Sequence, residues 1–232
     1  VHGVFVIGTT GEFYGLTPDE KRRLMEIAVD QTAGRVPVYA GTGAITTREC
    51  MQLTAIAQQC GVDAVSVLTP MFITPSQNEL YEHYKTIAHA TDLPVVLYNN
   101  QPKTGVGISA ATVEKLADIP NVVAIKDSTG DMTLTGEYIR KTEGKDFSVL
   151  MGRDTLIHAA LCYGANGAIA ACANVAPRIC ADIYDLYVQG DIAGSLREQF
   201  RLAPLRIAFT LGTFPAVIKE ALELMGIEAG PC

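Results

Sequence analysis

Seven short apolar runs, spaced about 19 to 34 residues apart, constrain this chain more than any other feature: Gly3–Ile7, Pro37–Ala40, Ala64–Leu68, Pro94–Tyr98, Val122–Ile125, Ser148–Met151 and Gly167–Ala171. Each is brief, rich in Val, Ile or Leu, and apolar on both faces. Such runs fit parallel strands covered by helices, because a strand with one wet face would alternate. Between them lie amphipathic stretches with helix-start signals. Thr17-Pro18-Asp19-Glu20 supplies an N-cap hydroxyl, a proline at the first helical position and a glutamate at the third. Thr46 with Glu49 and Ser76 with Glu79 repeat the capping-box spacing, before periodic stretches that end near Cys60 and Thr91, and Gly61 reads as a helix stop. Strand and helix alternate, so right-handed crossovers and a parallel sheet are expected.

After the last strand the pattern becomes helical only, over about Ala176–Gln189, Ile192–Phe209 and Pro215–Met225. The expected fold class is α/β, a (β/α)8 TIM barrel with extra C-terminal helices. Residues 1–232 are read as one domain, in the size range of a single barrel. Seven strands and an opening strand with no helix before it predict that the first strand and helix of the barrel are lacking. The domain is thus expected to hold strands two to eight and to be incomplete at both ends.

Composition excludes several function classes. A net charge of −7 with scattered Lys and Arg gives no basic face for nucleic acid. No apolar run approaches the roughly 20 residues that span a bilayer, and Val1–Ile7 lacks the basic flank and cleavage site of a signal peptide. The chain reads as soluble and cytoplasmic. Cys50, Cys60, Cys162, Cys172, Cys180 and Cys232 show no C-x-x-C spacing and are expected mostly as small buried hydrophobes. His2, His83, His89 and His158 form no metal-binding motif, and no metal is expected. Gly41-Thr42-Gly43 follows a strand and Asp63 lies where a ribose-binding acid would, but Thr46 replaces the third glycine of G-x-G-x-x-G, so a dinucleotide site is not expected.

In a parallel barrel the chemistry sits at the carboxyl ends of the strands. Lys126 closes Val122-Val123-Ala124-Ile125, where an apolar rim would favour the neutral, nucleophilic amine. From position alone a surface lysine paired with Asp127 is the commoner outcome. Tyr98 closes Val95-Val96-Leu97, and its phenol could shuttle a proton or simply bond the backbone. Thr9 and Thr10 lie in the glycine-flanked turn Gly8-Thr9-Thr10-Gly11-Glu12, which can receive a carboxylate or phosphate oxygen or serve only as a tight turn.

Four strand-end motifs in register, Gly8-Thr9-Thr10-Gly11-Glu12, Leu97-Tyr98-Asn99, Ile125-Lys126-Asp127-Ser128 and Gly164-Ala165-Asn166-Gly167-Ala168-Ile169, resemble the dihydrodipicolinate synthase and N-acetylneuraminate lyase family of class I aldolases. The resemblance runs along nearly the whole chain. It implies a Schiff base between Lys126 and pyruvate or another 2-keto acid, with Tyr98 as proton shuttle, Thr9 in the same relay and Thr10, in the turn opened by Gly8, helping to bind the substrate carboxylate. It further implies that Gly152 and Ile169 line the pocket, that no cofactor is needed, and that the protein is a homotetramer, a dimer of dimers.

Two positions depart from the members that make dihydrodipicolinate. Phe72, in Thr69-Pro70-Met71-Phe72, stands where they carry a tyrosine donated across the dimer, and Lys103, in Gln101-Pro102-Lys103-Thr104-Gly105, stands where they carry an arginine. A phenyl ring carries no proton, and an ammonium lacks the bidentate fork for a second carboxylate. The expectation from these differences is an aldolase or dehydratase of a 2-keto-3-deoxy sugar acid, with dihydrodipicolinate synthase and a truncated non-catalytic paralogue as alternatives.

Overall fold

The computed structural model describes residues 1–231, so Cys232 lies outside the described residues. The chain divides into two compact units, one of His2–Leu150 and one that begins at Met151.

The first unit is a parallel α/β structure. Its strands are β1 (Val4–Val6), β2 (Val38–Gly41), β3 (Ala64–Leu68), β4 (Val95–Asn99), β5 (Val122–Asp127) and β6 (Ser148–Met151), hydrogen-bonded in the order in which they occur. The first five pair in parallel, with Val6 opposite Ala40, Gly41 opposite Ser66, Leu68 opposite Tyr98 and Tyr98 opposite Lys126. A register shift at Val95/Val96 offsets the β4–β5 ladder. Helices α1 (Pro18–Thr32), α2 (Thr47–Cys60), α3 (Gln77–His89), α4 (Gln101–Thr104), α5 (Ala110–Leu116) and α6 (Met132–Lys141) occupy the connections. One hydrophobic core joins the strands to these helices through Met25, Leu53, Val65, Leu80, Leu97 and Ile125.

The predicted helix starts hold. Thr17 and Glu20, and Ser76 and Glu79, form complete capping boxes at α1 and α3, while Thr46 caps α2 by accepting from Glu49 N–H alone. Each cap is worth about 1 kcal/mol. Gly61 ends α2 in the left-handed conformation (φ 77°). The expected first strand ran to Ile7, but Ile7 leaves the extended region with φ 60° and is buried. A β-branched residue adopts this conformation only when its surroundings hold it there. Gly41 makes it possible: a Cβ built on Gly41 would lie 2.0 Å from the Ile7 carbonyl oxygen.

The second unit holds β7 (Gly167–Ala168), α7 (Ile157–Tyr163), α8 (Pro177–Val188), α9 (Ile192–Ala208) and α10 (Ala216–Leu224). The last strand is shorter than the predicted Gly167–Ala171, because the chain turns into a 3-10 helix over Ala171–Asn174. Ile157, Leu161, Ile183, Leu202 and Ile218 form its apolar core. Buried Asp154 organises the polar side: it accepts from Cys172 N–H (2.9 Å), lies 3.2 Å from Arg206 Nε, and its backbone carbonyl accepts from Gln199 Nε2 (2.8 Å). Among the described residues no helix is long and apolar enough to cross a membrane. Nor do three or more His, Cys, Asp or Glu side chains there gather as a metal site. Cys50, Cys172 and Cys180 are buried, Cys60 half-buried and Cys162 exposed.

Candidate functional site

Strand geometry sorts the residues at the ends of β4 and β5 into two sets. Successive side chains of a strand point to opposite faces. Tyr98, Asn100 and Lys126 form one set, and Asn99 and Asp127 form the other. The second set belongs to the helix layer: Asn99 Nδ2 donates to Tyr138 Oη on α6 (2.8 Å), and Asp127 accepts from Thr135 Oγ1 on the same helix (2.7 Å) and from Thr129 N–H (3.1 Å). Asp127 is fully buried, and burial raises its carboxyl pKa above the usual aspartate value against the lowering pull of those hydrogen bonds. The surface pairing of Lys126 with Asp127 is therefore not what the fold builds. Lys126 is itself buried, at 7 % exposure, and faces the other way.

On that other face three side chains meet. Lys126 Nζ lies 4.1 Å from the centroid of the Tyr98 ring and 4.8 Å from that of Phe5, and the two rings stand edge to face at 6.3 Å. Tyr98 Oη is 3.3 Å from Thr9 Oγ1 and accepts from Asn100 Nδ2 at 3.2 Å. Burial acts most strongly on the Tyr98 phenol and pushes its pKa up. The Lys126 charge and the hydrogen bonds of Thr9, Ser128 and Lys126 act together in the opposite sense and leave it below the ordinary tyrosine value. A phenol so placed, joined to a second hydroxyl and lying beside an amine, is equipped to pass a proton.

The turn that carries Thr9 is fixed by its own backbone. Glu12 N–H donates to Thr9 C=O (3.3 Å) and Phe13 N–H to Gly8 C=O (3.4 Å), with Glu12 left-handed at φ 52°. The left-handed bend at Ile7 directs the chain into this turn. Gly8 is packed under the Phe5 ring, and Thr10 is half-buried beside Thr9 in sequence. A small cleft opens here, lined by Phe5, Gly8, Thr9, Ser66 and Tyr98 among others.

Lys103 is exposed on α4, a single turn anchored through Thr104, whose hydroxyl meets Thr69 Oγ1 at 2.9 Å. Gly152 and Ile169 belong to the second unit, where Gly152 follows β6 and Ile169 N–H donates to Met151 C=O at 2.9 Å. Phe72 is left-handed (φ 79°) and 88 % exposed. Three residues of the cleft and its rim, Phe5, Asn100 and Ser66, stand outside the sequence reading. Asn100 was recoverable from the two-residue strand period, which puts it on the face of Tyr98. Phe5 and Ser66 carry no signal beyond membership of an apolar run.

The profile of the dihydrodipicolinate synthetase family matches residues 1–232. A 4-hydroxy-tetrahydrodipicolinate synthase of Rhodospirillum centenum is 42 % identical over 225 residues, covering 97 % of this chain and 77 % of its own. The dihydrodipicolinate synthase of Aquifex aeolicus superposes with a TM-score of 0.96 at 36 % identity, over 100 % of this chain and 79 % of its own. The chloride-inhibited dihydrodipicolinate synthase of Acinetobacter baumannii, solved with pyruvate, gives 0.96 at 35 % identity, over 100 % and 80 %. The chain belongs to the dihydrodipicolinate synthetase family, whose members are class I aldolase-type lyases that work through a Schiff base.

Proposed function

We propose that this protein forms a Schiff base between Lys126 and pyruvate and condenses the resulting enamine with aspartate semialdehyde, as a 4-hydroxy-tetrahydrodipicolinate synthase. The observation that carries the first half is the buried meeting of Lys126 Nζ with the Tyr98 ring at 4.1 Å, beside the Tyr98–Thr9 hydroxyl pair. The second half is supported by the names of the relatives at about 40 % identity. In this respect the comparisons weigh against the sequence expectation, which put a sugar-acid aldolase first: Phe72 and Lys103 stand in a chain whose relatives carry the synthase name.

The chemistry follows from the groups present. The Lys126 amine adds to C2 of pyruvate, and the carbinolamine loses water as Tyr98 delivers a proton to the departing oxygen. The iminium withdraws electrons from C3, whose proton passes to the Tyr98 phenolate left by the loss of water, and C3 of the resulting enamine is the nucleophile. Thr9 holds the phenol in line, while Thr10 and the Gly8 turn take the carboxylate. Lys103 is assigned to the carboxylate of the second substrate.

One specific observation favours a second reading. Phe72 offers no phenol, and it is on the loop after β3 that the dihydrodipicolinate-forming members carry theirs, so aldol cleavage of a 2-keto-3-deoxy sugar acid is the runner-up. Borohydride reduction in the presence of pyruvate, followed by peptide mapping, tests the shared step: a reduced adduct on Lys126 is expected, and its absence from folded protein would overturn both readings. Consumption of pyruvate with aspartate semialdehyde, against pyruvate release from a panel of 2-keto-3-deoxy acids, separates them.

A further inference from the structure

The cleft beside Tyr98 contains a polar group that the scheme above does not use. Ser66, on β3, is 1 % exposed and lines the same cleft as Gly8, Thr9 and Tyr98. Its hydroxyl oxygen is buried with no hydrogen-bond partner among the described residues. Other buried strand-end hydroxyls are partnered: Thr42 accepts from Thr54 (3.1 Å), and Thr69 pairs with Thr104 (2.9 Å). Buried hydroxyls without a partner are rare because the desolvation they suffer is uncompensated, so an exception calls for a reason.

Register locates it. Ser66 stands opposite Gly41 on β2 and Val96 on β4, two residues before Leu68, which pairs with Tyr98, which in turn pairs with Lys126. Two residues along a strand are about 7 Å and return to the same face. Ser66 is thus one layer beneath Tyr98 and Lys126. Gly41 and Gly43 line the same cleft without side chains to fill it, and its enclosed part has the room of about one water molecule. A buried water needs two to four polar partners, and Ser66, Thr9 and Tyr98 offer hydroxyls to this one space.

We propose that Ser66 holds the water molecule exchanged at C2 of the bound keto acid; the inference rests on the Schiff-base reading above. When the carbinolamine collapses, its C2–O bond breaks, Tyr98 protonates the departing oxygen, and water leaves towards Ser66 as the iminium forms. Release runs the other way. The held water adds to C2 of the iminium, its proton passes to the Tyr98–Thr9 pair, and the C2–N bond then breaks to return the Lys126 amine and the ketone. Protons and oxygen balance without any other reactant. Ser66 acts through the water and is a positioning residue.

The test uses the full chain with pyruvate in ¹⁸O-labelled water. Exchange of the ketone oxygen, corrected for the spontaneous rate, is compared among wild type, Ser66→Ala, Ser66→Val and Ser66→Thr, alongside borohydride trapping on Lys126. Wild type is expected to trap pyruvate and accelerate exchange. Ser66→Ala and Ser66→Val should trap to the same final yield while exchange falls about tenfold, the worth of one ordinary hydrogen bond, and Ser66→Thr, which keeps a hydroxyl, should restore it. Wild-type exchange in Ser66→Ala, with trapping intact, would overturn the role of Ser66 and leave the Schiff base standing. Should Ser66→Val fail to fold, Ser66→Ala decides the matter. Absence of trapping in wild type would instead overturn the Schiff-base reading on which the inference rests.

Discussion

The ends of β4 and β5 and the loop after β3 are built to opposite specifications. At the strand ends, Tyr98 and Lys126 are buried, fixed by register, and backed by Asn99 and Asp127 tied to α6. In the loop, Phe72 and Ile73 are exposed, with Phe72 at 88 % exposure on a left-handed backbone. A step shared by a whole family, activation of a keto acid by an amine, needs groups held to within a fraction of an ångström, which strand ends supply. Choice of the second substrate can vary with side chains on loops that tolerate change. On the proposed reaction, activation of the keto acid rests on the buried strand ends and choice of the second substrate on the exposed loop.

The sharpest break of this comparison is Lys126→Met, which keeps the apolar stem and removes the nitrogen. Pyruvate trapping should vanish, with turnover lost by at least about 10⁴-fold, since no other group can replace a covalent nucleophile. Residual trapping on another lysine, seen by peptide mapping, would move the chemistry away from β5. Tyr98→Phe should follow, with the rate of Schiff-base formation reduced about 10²- to 10⁴-fold, the usual worth of a positioned proton donor. Measured kcat should fall while KM for pyruvate changes little, because a lost phenol leaves the Lys126 pocket in place.

How far the sequence made this legible divides along the same line. Strand-borne features were legible: the runs Ala64–Leu68 and Ser148–Met151 are β3 and β6 as observed, and the runs leading to Tyr98 and Lys126 correctly placed both on strands, as neighbours in the β4–β5 register. Cap chemistry was legible at Thr17 and Ser76, because a hydroxyl and a glutamate three residues apart satisfy each other locally. What escaped depends on contacts distant in sequence. Ile7 has every local reason to extend a strand and is turned left-handed in a place that only Gly41, 34 positions later, leaves open. Phe5 becomes a face of the Lys126 site only when β1 and β5 are brought together by the sheet, and α4 and α5 are too short to show a helical period. The shortening of the last strand likewise follows from the 3-10 turn at Ala171, for which Ala-Cys-Ala-Asn gives no warning.

A smaller effect separates the two faces of β5. Thr135→Val removes the hydroxyl that donates to Asp127 and leaves a buried carboxylate with one partner fewer. Chemical denaturation should show a loss of about 1–3 kcal/mol, with trapping on Lys126 unchanged. A drop in trapping of the same order would mean that the outward face steers the inward one, and the clean division between them would fail. For the loop, Phe72→Tyr restores the phenol of the dihydrodipicolinate-forming members. Condensation with aspartate semialdehyde should rise by no more than about tenfold, less than a fully positioned proton donor delivers, whereas a flat response would shift weight to sugar-acid cleavage.

The smallest effect probes the loop by itself. A non-glycine residue in the left-handed region costs about 1–2 kcal/mol, and glycine at that position costs about 0.5–1 kcal/mol in unfolded-chain entropy. Phe72 buries almost none of its ring, so Phe72→Gly gives up little apolar contact. The balance is a stabilisation of about 0.5–1 kcal/mol, readable as a raised denaturation midpoint with unchanged slope. A destabilisation of 2 kcal/mol or more, on the scale of about 1.5–3 kcal/mol for burying a large apolar side chain, would show that the ring is covered in solution. Phe72 would then belong with the buried groups at the strand ends, and the contrast between the two regions would be a property of the single chain alone.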